Sequence, residues 1–234
     1  MLSCEEIQQI KKELHDYIDK NCIFRCDPTI IYHEGFRPGE IYPKNPSKQK
    51  ITWQFYLRRL THNGRMSYLM SLLFFDDLKR KIQEGSEYQS IQIVGLETGS
   101  IPIMVALQQM AASHKINLNS FSVRKERKRS GLFNIVDGIP TEDPVVFVDD
   151  VINSGSSITP CLDVCSYELG LKPARNFYTI LRFKKNMEYV QYKKELSKVN
   201  FIFDVDEFNL EYDANKYWLP KDCDRQINKR SDYF

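Results

Sequence analysis

Between residues 91 and 183, short apolar runs alternate with segments of helical period, and no other feature of the chain constrains its fold as strongly. The runs are "IQIVGL" (91–96), "NSFSVRK" (119–125), "VVFVDD" (145–150) and "ARNFYTILRF" (174–183). Residues 100–115 and 156–170 read as helices. Strands alternating with helices argue for a parallel sheet wound by right-handed crossovers. The near-continuous hydrophobicity of 91–96 and 145–150 fits strands buried on both faces. The expected fold class is therefore α/β: a twisted, mainly parallel five-stranded sheet flanked by helices, with "NFIFDVDEF" (200–208) as its last strand. The stretch 126–144 reads as a long polar loop.

The flanking segments are less regular. Residues 3–20 read as an amphipathic helix, with Ser3 and Glu6 at capping-box spacing and Ile7, Ile10, Leu14, Tyr17 and Ile18 at helical spacing. Residues 26–50 are rich in Pro, Gly and Lys, so they read as loop with short extended pieces. Residues 51–59 have the β-branched and aromatic content of a strand. After the turn signal Asn63-Gly64, residues 65–85 read as a helix ending near Gly85. The 234 residues suit a single domain. Within it, about 1–64 would form an N-terminal helix and hood, 65–208 the core and 209–234 a solvated tail.

Composition removes several function classes. Lys and Arg total 33 against 31 Asp and Glu, so the net charge of +2 makes no electrostatic case for nucleic acid. Any anion must be met by local chemistry. No apolar run approaches the roughly 18 residues of a membrane span. The first twenty residues carry Glu5, Glu6 and Glu13 and lack the apolar core of a signal peptide. The expectation is a cytoplasmic protein with no membrane partner. Cys22, Cys26 and His33 do not have zinc-site spacing. Cys161 and Cys165, one helical turn apart, are expected to be packed thiols.

The stretch "VVFVDDVINSGSSITP" (145–160) reads as strand, tight turn and helix start. Ligands of open α/β sheets bind at the carboxyl ends of strands, where Asp149 and Asp150 fall. Small hydroxyl residues then lead into a helix N-terminus, whose free N–H groups and dipole favour an anion. Gly155 lets the backbone approach that anion or take a positive φ. Two carboxylates beside an anion site conflict, unless they hold a sugar's hydroxyls or act through a divalent cation that also touches phosphate. A ligand with a phosphate at one end and a polyhydroxyl ring satisfies both. Neither a Walker loop nor a G-x-G-x-x-G fingerprint is present.

This stretch resembles the phosphoribosyl pyrophosphate (PRPP) motif of the type I phosphoribosyltransferases, and the chain is most similar to the orotate phosphoribosyltransferases among them. The resemblance implies that Asp149 and Asp150 hold the ribose hydroxyls and that Asn153, Ser154, Gly155, Ser156 and Ser157 cradle the 5-phosphate. Upstream, "GLETGSIPIMVAL" resembles the family's pyrophosphate loop, with Glu97, Thr98, Gly99 and Ser100 offering backbone amides. "SFSVRKERKRSGLFNIVDG" resembles the mobile catalytic loop of the orotate enzymes, where Arg124, Lys125, Glu126, Lys128 and Gly131 match. Two residues depart from the family pattern: Ser130 stands where the loop carries histidine, and the pyrophosphate loop has no lysine. By the same resemblance Arg37, in "FRPGEIYP", is expected to contact the base, and Arg59 is a further candidate for that contact. Magnesium is expected as cofactor, held mainly through the substrate and by Asp149 and Asp150. A homodimer is expected as the assembly. The implied activity is transfer of the phosphoribosyl group from PRPP to orotate in pyrimidine biosynthesis. The alternatives are transfer to a purine or other base, and a PRPP-binding regulator without turnover.

Overall fold

The computed structural model describes residues 1–25, 53–83, 90–127, 134–153, 155, 158–183 and 198–210. Helix α1 spans Cys4–Asn21 and opens on the expected capping box: the Ser3 hydroxyl accepts the Glu6 N–H, and the Glu6 carboxylate accepts the Ser3 N–H. Its Ile10, Leu14 and Ile18 are buried. Strand β1 (Ile23–Arg25) pairs antiparallel with β2 (Trp53–Phe55). The strand expected over 51–59 thus ends at Phe55, and the chain turns into a short helix, α2 (Arg58–Thr61). Leu57 and Leu60, three residues apart, are both buried there. Helical geometry puts that pair on one face, whereas a strand would split it between two. Helix α3 follows (Gly64–Gln83).

The main sheet has six strands among the described residues, one more than expected. They are β3 (Gln92–Leu96), β4 (Asn119–Val123), β5 (Val136–Gly138), β6 (Val145–Ile152), β7 (Pro173–Arg182) and β8 (Lys198–Asp204). Their spatial order is β5-β4-β3-β6-β7-β8. Five of them pair in parallel, as expected, and β5 runs antiparallel to β4. β5 falls inside the stretch read as a polar loop. Val136-Asp137-Gly138 offers no apolar run to announce it. It pairs because the edge of β4 presents N–H and C=O groups that need partners. Gly138, at φ +109°, passes so close to the Ser120 carbonyl that a Cβ would sit 2.8 Å from it.

Strand alternation divides the core between the two sheet faces. Ile93, Val146, Val148, Tyr178 and Ile180 point to the side covered by α1, α3 and α4 (Ile101–Ser113). Val94, Val145, Phe147 and Phe177 point to the side covered by α5 (Ile158–Asp163). Each such fully buried side chain stabilises the fold by about 1.5–3 kcal/mol. The helix expected over 156–170 changes character on the way: after Asp163 it widens into a π-helical turn, Val164–Glu168. Gly170, at φ +64°, then closes it as the expected stop.

Cys161 and Cys165 are buried, as expected of packed thiols. Burial pushes the Cys165 thiol up to about 12 and the Cys22 thiol up to about 11. The thiolate is the nucleophile, so alkylation of the folded protein near pH 8 should modify exposed Cys4 and spare Cys22 and Cys165. Peptide mass mapping after labelling reads this directly. Rapid modification of Cys165 in the native state would contradict the packing described.

Candidate functional site

β3 and β6 are parallel neighbours, with Val94 opposite Phe147. The loop leaving β3 and the acidic end of β6 therefore emerge side by side at the carboxyl edge of the sheet. Gly95 makes this possible. A Cβ there would collide with the Ser100 side chain and lie 2.5 Å from the Val148 carbonyl oxygen. Ser100 folds back over the strand and its hydroxyl donates to the Leu96 carbonyl at 2.8 Å. The Glu97–Thr98 peptide bond within this loop is cis.

Asp149 is 7% exposed, and its Oδ1 accepts the Asp150 N–H at 2.9 Å. The Thr179 hydroxyl donates to the Asp150 carbonyl at 3.2 Å and fixes the strand end. The Asp150 carboxylate packs directly over Gly99: a Cβ on Gly99 would sit 2.9 Å from Oδ1 and 3.1 Å from Oδ2. Two motifs some fifty residues apart in sequence thus form one surface. Beyond them, Gly155 takes the expected positive φ, +75°, and its carbonyl accepts the Ile158 and Thr159 N–H groups at 3.0 and 3.1 Å. Asn153 is half-buried at the start of this turn. Ser154, Ser156 and Ser157 lie outside the described residues.

The basic segment after β4 is engaged at its base. Arg124 pairs with Asp137 of β5 and, at 3.4 Å, with Glu97. Its Nε is buried with no hydrogen-bond partner among the described residues. The Lys125 N–H donates to the other Glu97 oxygen at 3.3 Å, while the Lys125 side chain is exposed. Arg127 pairs with Glu168, at the end of the π-helical turn, at 2.5 Å. Lys128, Ser130 and Gly131 lie outside the described residues.

A cavity of about 530 Å³ opens beside the loop. Tyr56, Arg58, Arg59 and His62 line one side, and Thr98, Ile101 and Pro102 the other. Arg59, singled out from sequence, is part of it, and its Nη1 also donates to the Asn21 carbonyl at 3.1 Å. Arg37 lies outside the described residues. Arg58 was missed: its Nη2 donates to the Thr98 hydroxyl at 3.1 Å. Reading 51–59 as one strand hid it, because strand alternation sends adjacent residues to opposite faces, whereas the turn of α2 lets Arg58 and Arg59 line the same cavity.

The donor set is compatible with magnesium. Asp149 and Asp150 supply hard oxygen ligands beside a loop that Gly99 keeps open. Among the described residues no group of three or more His, Cys, Asp or Glu gathers into a cage. Mg²⁺ is commonly held in just this way, by one or two carboxylates plus substrate oxygens.

No family model matches the chain. The orotate phosphoribosyltransferase of Tropheryma whipplei is 30% identical over 113 residues, 47% of this chain and 50% of that protein. That of Rhodopirellula baltica is 30% identical over 130 residues, 55% of this chain and 66% of that protein. The chain therefore spans about half to two thirds of the length of these curated relatives. The solved orotate phosphoribosyltransferase of Mycobacterium tuberculosis superposes with a TM-score of 0.58 at 17% identity, covering 86% of this chain and 99% of that one. The fold is that of a type I phosphoribosyltransferase. The same M. tuberculosis protein solved with PRPP superposes with a TM-score of 0.51 at 15% identity, covering 89% of this chain and 94% of that one. In this phosphoribosyltransferase fold the acidic pair and the glycine-bearing loop occupy the carboxyl edge of adjacent strands. Among the described residues no helix is long and apolar enough to cross a membrane.

Proposed function

We propose that the chain transfers the 5-phosphoribosyl group of PRPP to a nitrogenous base, orotate above others, releasing a nucleotide 5-monophosphate and pyrophosphate. The observation that carries this reading is the Asp150 carboxylate packed over Gly99, which joins a hydroxyl-binding acidic pair to an anion-binding loop. The names of the curated relatives and the PRPP complex of a structural neighbour support it.

In this reading Asp149 and Asp150 accept the ribose hydroxyls, and the turn around Gly155 receives the 5-phosphate on backbone N–H groups. The bond between C1 and the pyrophosphate oxygen breaks through an oxocarbenium-like state, and the leaving group takes the electron pair. The two carboxylates stabilise the positive charge that develops on the ring. A ring nitrogen of the base then attacks C1, and Asp150 is our candidate to accept its proton. Mg²⁺, held by substrate oxygens with Asp149 and Asp150, would neutralise pyrophosphate charge. The basic residues Lys125 and Lys128 close over the departing pyrophosphate and exclude water. Orotate's carboxylate needs a cationic partner, which Arg59, lining the cavity, and Arg37 would supply. A homodimer belongs to the same proposal. Tyr68 on α3, with Ile101 and Val105 one turn apart on α4, leaves exposed apolar surface for a second copy to cover.

The test is pyrophosphate release from PRPP and Mg²⁺ with a panel of bases. Release with orotate and with no purine is the expected result. Release with a purine alone moves the acceptor assignment. PRPP binding without turnover on any base overturns the enzyme reading, and failure to bind PRPP overturns the proposal as a whole.

A further inference from the structure

The charge around the pyrophosphate loop is distributed unexpectedly. Residues 97–100 carry one acid, Glu97, and no cation. Arg124, the nearest basic residue of the segment after β4, faces two carboxylates, Glu97 and Asp137. Its single charge is already compensated. A dianionic or more highly charged group arriving at the loop therefore calls for a further cation, beside Mg²⁺ and the exposed Lys125 side chain.

Arg58 is that cation. It belongs to α2, a different part of the chain, yet its Nη2 reaches the Thr98 hydroxyl at 3.1 Å. Thr98 adjoins Gly99, over which the Asp150 carboxylate packs. The Arg58 side chain is exposed to the 530 Å³ cavity, and no carboxylate among the described residues pairs with it. A guanidinium so held offers further N–H donors to a phosphoryl oxygen beside Thr98 in a forked geometry. Four residues on, at the end of α2, the His62 Nδ1 lies 2.9 Å from the Arg58 carbonyl and ties the helix backbone under this side chain.

We propose that Arg58 is a binding residue for the diphosphate of PRPP and for the released pyrophosphate. It provides from α2 the positive charge that the loop itself lacks. This rests on the phosphoribosyl-transfer reading. Its test uses binding alone, so that the two can fail separately. Calorimetry on the full chain with Mg²⁺-pyrophosphate and with ribose 5-phosphate compares wild type, Arg58→Gln and Arg58→Lys. Loss of a charge-assisted contact should weaken pyrophosphate binding by about ten- to hundredfold in Arg58→Gln. Ribose 5-phosphate binding should be unchanged, and Arg58→Lys should recover part of the loss. Equal weakening of both ligands would reduce Arg58 to a support for the loop and overturn the assignment, as would undiminished pyrophosphate binding. If Arg58→Gln does not fold, wild-type pyrophosphate affinity in Arg58→Lys is overturning, because a point charge cannot reproduce a forked contact. A wild-type protein that binds neither ligand overturns the transfer reading and this one with it.

Discussion

Replacing Asp149 and Asp150 together with Asn is expected to lower turnover by at least about a thousandfold, since losing one preorganised electrostatic contact already costs about 10²–10³. The fold should survive. Asn has nearly the shape of Asp, and its Oδ1 can still accept the Asp150 N–H that Asp149 holds at 2.9 Å. Asp149 is 7% exposed, so a neutral amide there also removes the desolvation cost of a buried charge. What the double change deletes is the negative charge facing Gly99 and the loop. The measurement is steady-state pyrophosphate release, paired with thermal unfolding of both proteins. Turnover at a tenth of wild type or more would remove the acidic pair from the mechanism. A collapse of stability would show that the pair is structural first.

The second large effect is on stability. Gly95→Ala should destabilise the protein by about 3 kcal/mol, at the upper end of what overpacking costs, and lower the melting temperature by about 6–12 °C. The added methyl has nowhere to go. It would overlap the Ser100 side chain and lie 2.5 Å from the Val148 carbonyl oxygen, which belongs to the neighbouring strand's backbone. Either β3 and β6 separate at their ends, or Ser100 gives up its hydrogen bond to Leu96. Both routes also displace Gly99 from Asp150, so PRPP affinity should fall in parallel. Denaturant unfolding measures the first consequence and calorimetry the second. A variant as stable as wild type would mean the loop has slack that its packing does not suggest.

The proposed site was unevenly legible in the sequence. Asp149, Asp150 and Gly155 could be read because strand, turn and helix signals lie in one continuous stretch. Glu97 through Ser100 could be read for the same reason. Arg58 could not, because its role depends on which way a residue points, and the composition of 51–59 favours a strand. Its helical turn is stabilised by burial of Leu57 and Leu60, a tertiary effect. β5 was also missed: a three-residue pairing is imposed by the open edge of β4 and carries almost no local signal. The engagement of Arg124 by Glu97 and Asp137 had no sequence signature either, since its partners lie 27 and 13 residues away.

The sequence alone determined the class of the fold and the residue types at the carboxyl ends of its strands. Period, apolar runs and turn residues are local properties, and they survive in one dimension. Only the tertiary structure decided what those residues face. Parallel pairing of β3 with β6 brought Gly99 under Asp150, and the turn of α2 brought Arg58 to Thr98. Such contacts depend on strand order and helix direction, which are set by how the two hydrophobic faces of the sheet are covered.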